Sequence, residues 1–245
     1  MHRFFLCVFV LYASLVKSAD LTDLEYITEH YPPYNFKEKG QLRGIAVELL
    51  ELASRAKGPP VLPRMVNMEP WARGYQKVLK GRMKVLFSMT RTPKREKLFL
   101  WAGPITDTRV VVLAKKGREI KITSPDQFKL YTIGVVRDDI GEQSLNTLGI
   151  EDKHLQLSPF PEVVAKKLHA DRVDMWAYEA RVAQWVMRQL GINTNAYEEV
   201  YVLTEGHLYF SFSSDVNDEY VADLQEGIDE IRKAGRLEEI LAKYR

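Results

Sequence analysis

The chain has 245 residues, of which 46% are hydrophobic and 28% are charged, and its formal net charge is +2. These values are typical of a globular protein long enough for one large or two small domains. A charge so close to zero excludes a strongly basic surface for nucleic acid, and no apolar segment beyond the N-terminal region indicates an integral membrane protein.

The first 18 residues have the pattern of a secretory signal peptide. A basic start at Arg3 precedes an apolar run over 4–16, which is shorter than the roughly 20 residues that a membrane-spanning helix needs. Small residues around Ser18 offer a cleavage site, although the run can also be read as a buried first helix or strand. Export to the periplasm would remove Cys7, the single cysteine, and leave no disulfide or thiolate metal site.

From residue 19 onwards, segments typical of strands alternate with segments typical of helices. The first block is predicted to contain a strand over 24–28, a helix over 45–57, a strand over 61–65, a helix over 71–80 and a strand over 83–88. The second is predicted to contain strands over 110–114, 131–136, 155–157 and 173–177 and helices over 141–148, 162–169 and 179–190. Strands over 200–203 and 208–212 and helices over 218–234 and 236–244 complete the chain.

This alternation predicts an α/β fold with two lobes, each a mainly parallel sheet flanked by helices. We expect residues 1–18 to be the signal peptide, residues 19–109 with 206–245 to form lobe 1, and residues 110–205 to form lobe 2. The chain then crosses between the lobes twice. Because ligands of open parallel sheets bind at the carboxyl ends of the strands, two facing lobes would enclose a ligand by hinge closure.

Aromatic and acidic side chains follow two of the predicted strands. Tyr31 and Tyr34 lie in a proline-fixed loop after the first strand and offer flat faces to a planar or cationic ligand. The alternative is a stiff surface turn with a packed tyrosine. In the second block, Tyr178 and Glu179 end a strand in an acid that suits an ammonium group. The alternative is an exposed acid that the dipole of the next helix favours.

Hydroxyl and guanidinium groups follow the strand over 83–88. Ser88, Thr90 and Arg95 form a set that can hold a carboxylate, since arginine binds a carboxylate with two parallel hydrogen bonds and hydroxyls complete the contact. The alternative interpretation is a solvated basic loop.

Sequence patterns of catalysis are scarce. The chain has no nucleophile elbow, no His-Glu-x-x-His and no phosphate-binding glycine-rich loop. Its five histidines are scattered without the spacing of a metal site. We therefore expect a protein that is not an enzyme, with no catalytic residue, no metal and no cofactor.

Six segments together carry a resemblance to a known family. They are 31–36, 40–50, 88–97, 133–135, 141–142 and 172–179. In this order and spacing, the chain resembles the family 3 extracellular solute-binding proteins, the amino-acid receptors of ABC importers, over nearly the whole mature length. The resemblance implies a periplasmic-binding-protein type II fold.

The resemblance also implies roles for single residues. Arg95, helped by Ser88 and Thr90, would bind the α-carboxylate of a ligand, and Tyr31 would stack on it. Glu179 occupies the place where the family usually has an aspartate for the α-amino group.

The chain departs from the family after the strand over 131–136. The family usually has a Gly-Thr-Thr-Gly-like loop there that helps to hold the carboxylate, whereas this chain has Arg137, Asp138 and Asp139. An aspartate at a helix N-terminus competes with a ligand carboxylate for the same N–H groups, and Arg137 would replace part of the anion contact. Trp71 and Arg73 add aromatic and cationic groups to the expected site.

The resemblance implies a monomeric periplasmic receptor. It would capture a small polar ligand, an amino acid or a relative, and deliver it to an ABC permease in the inner membrane. One alternative is an enzyme on the same fold, similar to cyclohexadienyl dehydratase, with Glu179 and Asp139 as an acid–base pair. Another is a ligand sensor that works with a separate partner chain.

Overall fold

The computed structural model describes residues 20–244, and the predicted signal peptide lies outside the described residues. The strands are β1 (Glu25–Thr28), β2 (Phe36–Glu38), β3 (Gln41–Arg43), β4 (Val66–Met68), β5 (Lys84–Thr90), β6 (Phe99–Lys115), β7 (Ile133–Val136), β8 (Leu155–Ser158), β9 (Met175–Glu179) and β10 (Tyr197–Ser213). The helices are α1 (Ile45–Lys57), α2 (Trp71–Lys80), α3 (Ile140–Thr147), α4 (Pro161–His169), α5 (Ala180–Gln189), α6 (Asp218–Lys233) and α7 (Arg236–Lys243). Short 3-10 helices cover Leu21–Asp23, Pro63–Met65, Lys116–Arg118, Pro125–Leu130, Asp152–His154 and Thr194–Ala196.

Eight of the strands form one sheet in the order β4-β1-β5-β10-β6-β9-β7-β8. On the lobe 1 side, β1 pairs in parallel with β4 and β5, and on the lobe 2 side, β7 pairs in parallel with β8 and β9. The two central strands are antiparallel to each other and to their outer neighbours. The sheet therefore consists of two parallel sets of strands joined by an antiparallel pair, and β2 and β3 form a separate hairpin.

The central strands β6 and β10 are longer than the sequence predicts. Each has 17 residues, and their pairing runs from Ser213 opposite Phe99 to Tyr197 opposite Lys115. The predicted strands over 200–203 and 208–212 are parts of one strand, because the polar stretch around Gly206 continues the ladder. Here both strands have solvent-facing polar residues, so the alternation that reveals a strand in sequence is absent.

Two further expectations differ from the structure. The predicted strand over 61–65 is wrong, because Pro63 begins a 3-10 helix and the strand forms only at Val66–Met68. The hairpin of β2 and β3 is not predicted from sequence, since its strands of three residues each are too short and too exposed to show a pattern.

Buried residues form two hydrophobic clusters. The larger one lies around β1 and β5 under α1 and α6, and it continues into α4 and α5 of lobe 2. The smaller one surrounds β7 on the other side of lobe 2, with Phe128, Val135 and Leu145 fully buried. The exact division of the chain at residues 109 and 205 stays a prediction, since the central strands belong to both lobes. Among residues 20–244, no helix has the length and apolar character needed to span a bilayer.

Candidate functional site

Four side chains at or just after the carboxyl ends of strands lie at one interface between the lobes. In lobe 1, Glu29 follows β1 and the loop after β5 carries Arg95, while in lobe 2, Asp139 follows β7 and β9 ends at Glu179. These four side chains are buried, with exposed fractions of 5%, 1%, 4% and 1%. We call this interface the cleft, because ligands of open α/β sheets bind at such strand ends.

Arg95 connects the two lobes across the cleft. Its Nη1 donates to the carbonyl of Thr90 at 3.1 Å within lobe 1. Its Nε donates to Oε1 of Gln143 at 3.1 Å, and its Nη2 donates to the carbonyl of Asp138 at 3.4 Å, both in lobe 2. Burial lowers the pKa of the Arg95 guanidinium, and the nearby Asp139 carboxylate opposes this shift.

The aromatic residues of α2 cover the Arg95 side chain. The ring centroids of Trp71 and Tyr75 each lie 5.4 Å from its guanidinium carbon, within the range of a cation–π contact. Trp71 also donates from Nε1 to the carbonyl of Asp138 at 2.8 Å, and Gln143 donates to the same oxygen at 2.9 Å. This one backbone carbonyl of lobe 2 therefore accepts hydrogen bonds from Trp71 and Arg95 of lobe 1 and from Gln143 of lobe 2.

The loop after β1 turns its tyrosines into the cleft. Tyr31 and Tyr34 are 2% and 0% exposed, so the alternative of a surface turn is wrong. The ring of Tyr31 meets that of Tyr178 edge to face at 5.8 Å, and the hydroxyl of Tyr34 donates to Oε1 of Glu179 at 3.2 Å. Gly44 permits this loop, because a Cβ at its position would lie 2.3 Å from the carbonyl oxygen of Tyr34.

Ser88 and Thr90 are both buried at the cleft, and the hydroxyl of Ser88 makes its hydrogen bond within the protein. The hydroxyl of Ser88 donates to Oδ1 of Asn35, whose side-chain amide donates to the carbonyl of Glu29 at 2.7 Å. This chain of bonds fastens the tyrosine loop to β5. Thr90 directs its carbonyl to Arg95.

Two further acids of the cleft, Glu29 and Asp139, are buried. The Glu29 carboxyl group makes no hydrogen bond or ion pair with the described part of the chain, and Oδ2 of Asp139 is buried without a partner. Burial raises the pKa of Glu29 well above its usual value, and the carboxylates of Asp139 and Glu162 add to this shift. Burial likewise raises the pKa of Asp139, while Arg95 opposes it.

Glu179, by contrast, has both carboxylate oxygens in hydrogen bonds. Its Oε1 accepts from Tyr34, and its Oε2 accepts from the backbone N–H of Val182 at 2.7 Å, which caps α5. Burial raises the pKa of Glu179, and these two hydrogen bonds oppose the shift. The helix position therefore agrees with the sequence alternative, but the predicted exposure is wrong.

Further polar groups at the cleft are buried without partners. Among residues 20–244, the hydroxyl of Tyr178 has no hydrogen-bond partner although the residue is 0% exposed. Burial raises the pKa of this hydroxyl, and Glu29, Asp139, Glu162 and Glu179 raise it further, which places it among these carboxylates. Thr28, directly before Glu29, also has a buried hydroxyl without a partner.

Two of the expected site residues lie outside this buried cluster. Arg73 is exposed on α2, because two residues after Trp71 a helix has turned by about 200° and presents its opposite face. Arg137 is exposed at the end of β7, where its backbone N–H donates to the carbonyl of Ser158 at 3.0 Å. Neither guanidinium group takes part in the contacts across the cleft.

Three cleft residues are missing from the sequence-based prediction. Glu29 directly follows the first predicted strand, and that position is the signal that indicates it. Tyr75 and Gln143 each lie one helical turn after an expected site residue, Trp71 and Asp139, and therefore share its helix face. Among residues 20–244, no group of three or more histidine, cysteine or acidic side chains is arranged to hold a metal ion.

Comparisons with known structures show the same fold. A histidine kinase sensor domain with similarity to periplasmic binding proteins has a TM-score of 0.80 and 21% identity, and the match covers 92% of this chain and 97% of that one. An ABC uptake transporter substrate-binding protein from Streptococcus pneumoniae with bound histidine has a TM-score of 0.76 and 18% identity over 92% of this chain and 94% of that one. The arginine-, lysine-, histidine-binding protein ArtJ from Geobacillus stearothermophilus has a TM-score of 0.72 and 18% identity over 90% and 94%.

These likenesses confirm the predicted two-lobed α/β fold, and at such low identity they concern the fold alone. Among curated protein sequences, no significant match is found. The family model described as bacterial extracellular solute-binding proteins, family 3, matches residues 26–245, which is most of the chain. The chain therefore belongs to the family 3 bacterial extracellular solute-binding proteins.

Proposed function

We propose that the protein captures a small cationic ligand between its two lobes and delivers it to an ABC importer. The observation that carries this proposal is the excess of buried carboxylates over buried guanidinium groups in the cleft. Within the described part of the chain, Glu29 and Asp139 make no ion pair, and Arg95 is the buried cation among the cleft residues described above. Glu179 is stabilised separately by a helix N–H group and by the nearby Arg181.

This charge balance favours a ligand with a net positive charge. An unpaired buried charge destabilises a protein by several kcal/mol, because it loses its favourable interaction with water. A cation that enters such a site replaces this interaction with an attraction between opposite charges. The rings of Tyr31 and Tyr178 supply flat walls that attract a cation through their electron-rich faces. The proposal thus covers cationic amino acids and related amines.

Two structural relatives support a ligand of this kind. ArtJ is described as binding arginine, lysine and histidine, and the Streptococcus pneumoniae protein contains histidine. The family assignment supports an exported protein, and the signal-peptide pattern of residues 1–18 agrees with a periplasmic, monomeric receptor.

The contacts of Glu179 argue against the enzyme alternative. An acid–base pair needs two groups whose pKa values are moved apart and whose oxygens are free to exchange protons. Burial raises the pKa of both Asp139 and Glu179, and both oxygens of Glu179 are already hydrogen-bonded.

A sensor role is the second candidate, because the kinase sensor domain is similar over 92% of this chain. Delivery and sensing make the same use of the cleft and differ only in the partner. Stimulation of ATP hydrolysis by a reconstituted importer in the presence of liganded protein supports delivery, whereas stimulation of a histidine kinase supports sensing.

Isothermal titration calorimetry of the purified protein tests the ligand class. We expect arginine, lysine, histidine or simple amines to bind, and glutamate and glutamine to bind at least tenfold more weakly. Glu29→Gln should weaken binding of the best cation at least tenfold, whereas the control Glu198→Gln on the exposed face of β10 should not. Tight binding of glutamate, or an unchanged affinity in Glu29→Gln, would overturn the proposal.

A further inference from the structure

We infer that the ligand is an organic cation without an α-carboxylate, an amine or a guanidine, rather than a cationic amino acid. This inference rests on the proposed function, because it assumes that the cleft takes a cation. Three groups would have to bind a ligand carboxylate: the Arg95 guanidinium, the N-terminus of α3 and the Ser88 hydroxyl. Each of them interacts with other groups of the protein.

The guanidinium group of Arg95 is the first of them. All three of its nitrogen atoms donate to protein oxygens, those of Thr90, Asp138 and Gln143. Trp71 and Tyr75 pack against the same guanidinium. A bidentate carboxylate needs two neighbouring N–H groups on one open edge, and here three of the five N–H groups already donate to the protein, two of them across the lobes.

The N-terminus of α3 is the second group. Asp139 is the N-cap residue and is 4% exposed. Its side chain makes no regular capping hydrogen bond, yet the N–H groups of Ile140 and Gly141 stabilise its charged form. A carboxyl group of the protein therefore lies where a ligand carboxylate would need these N–H groups, and its ionised form would repel the ligand carboxylate.

The hydroxyl of Ser88 is the third. It donates to Asn35 and so serves the loop that carries the tyrosines. The Arg95 guanidinium and the Ser88 hydroxyl, two of the donors that the family resemblance assigns to a carboxylate, are thus used for contacts within the protein.

The groups that remain suit a ligand rich in N–H donors. Among residues 20–244, Oδ2 of Asp139 and the fully buried hydroxyl of Tyr178 have no hydrogen-bond partner, and the buried Glu29 carboxyl group lies near this hydroxyl. The Tyr178 hydroxyl is an observation independent of the acids, since a buried hydroxyl without a partner destabilises the protein unless a ligand satisfies it. Together these groups offer acceptors from both lobes to one cation.

Matched pairs of ligands test the inference. Lysine with cadaverine, arginine with agmatine, and histidine with histamine differ only by the carboxylate, and calorimetry gives the affinity of each. We expect the member without a carboxylate to bind at least tenfold more tightly in the best pair. Equal or tighter binding of the amino acid overturns this inference and leaves the proposed function intact, whereas binding of no member of any pair overturns both.

A substitution at Asp139 tests the cause of the preference. Asp139→Thr keeps a side-chain oxygen that can cap α3 and removes the negative charge. The affinity ratio of amine to amino acid should fall at least tenfold in this variant, while Asp152→Asn, a change of an exposed acid in lobe 2, should leave the ratio unchanged. An unchanged ratio in a folded Asp139→Thr protein contradicts the inference, and the comparison of ligand pairs on the unaltered protein decides it independently of this variant.

Discussion

Ionisation of Glu29 has opposite effects on the stability of the fold and on the affinity for a cation. Its carboxyl group is buried at the end of β1, so its ionised form destabilises the folded state, yet the same ionised form attracts a cation. A protonated Glu29 therefore favours the fold and disfavours the ligand.

The pH dependence of stability and affinity should consequently have opposite signs. Burial raises the folded-state pKa of Glu29 above its usual 4.5, so the folded protein binds a proton more tightly than the unfolded chain does. Asp139 and Glu179 shift in the same direction. As the pH falls from about 7.5 towards about 5.5, these groups should raise the Tm of the free protein and lower its affinity for a cation. Thermal unfolding and calorimetry across this range measure both.

Glu29→Gln serves as the control for this prediction. Glutamine keeps the shape of the side chain without its charge, so the variant should have a higher Tm at neutral pH and a smaller dependence of Tm on pH. The free energy of unfolding of the variant at neutral pH should exceed that of the unaltered protein, since the penalty for burying a charge is removed. A variant as pH-dependent as the unaltered protein would assign the effect to other groups.

At the scale of secondary structure, α1 and α6 approach each other closely through a glycine. A Cβ at Gly227 of α6 would lie 2.3 Å from the carbonyl oxygen of Ala53 on α1, which is closer than two such atoms can come. The neighbour is backbone and cannot move aside without shifting a helix. The contact lies in the core of lobe 1, on helices that supply none of the cleft side chains described above.

Gly227→Ala should therefore destabilise the protein without changing its affinity for ligand. Alanine improves helix propensity by about 1 kcal/mol, whereas overpacking a core typically costs about 1–3 kcal/mol. We expect the overpacking to dominate and to lower the free energy of unfolding by about 1–2 kcal/mol, as measured by urea denaturation. Gly117→Ala is the control, since a Cβ there meets no atom within 4 Å. A stabilised Gly227→Ala protein would show that the helices can separate freely.

The elements that are predicted well from sequence have bounds that are set by residues within or next to them. The bounds of α1 and α2 agree with the prediction, because apolar spacing begins at Ile45 and Trp71, and Gly58 and Gly81 end the helices. The extents of β6 and β10 could not be predicted in the same way. Their middle sections are polar and are strands only because each pairs with the other.

The candidate site shows the same division between local and distant causes. Tyr31, Arg95 and Asp139 are recognisable in sequence because each follows a strand, and the structure buries all three. The exposure of Arg137 and the burial of Glu29 depend on which side chains of the opposite lobe cover them. Their ligand-binding roles stay predictions until the affinities of the variants are measured.

At the scale of the whole molecule, the carbonyl of Asp138 is where the lobes meet. It accepts hydrogen bonds from Trp71 and Arg95 of lobe 1 and from Gln143 of lobe 2. The backbone at Asp138 has a φ of 59°, in the left-handed region that aspartate tolerates better than most residues. This conformation lets the carbonyl accept donors from both sides of the cleft.

Removing the Arg95 contacts should shift the protein towards an open form. Arg95→Gln loses the bonds to Asp138 and Gln143, so the closed form loses stability relative to the open one, and the ligand affinity should fall at least tenfold. Small-angle X-ray scattering should show a larger radius of gyration for the variant without ligand. Arg55→Gln on the exposed side of α1 is the matched control. A scattering profile equal to that of the unaltered protein would exclude Arg95 as a determinant of closure.

The two long central strands have a consequence for how the molecule can be divided. Because β6 and β10 pair over their whole length and border both parallel sets of strands, any cut that isolates one lobe splits both strands. A fragment made in this way would have severed strands and open edges, which promote aggregation. The two lobes should therefore fold only together, and gene fragments that encode a single lobe should not yield a stable product.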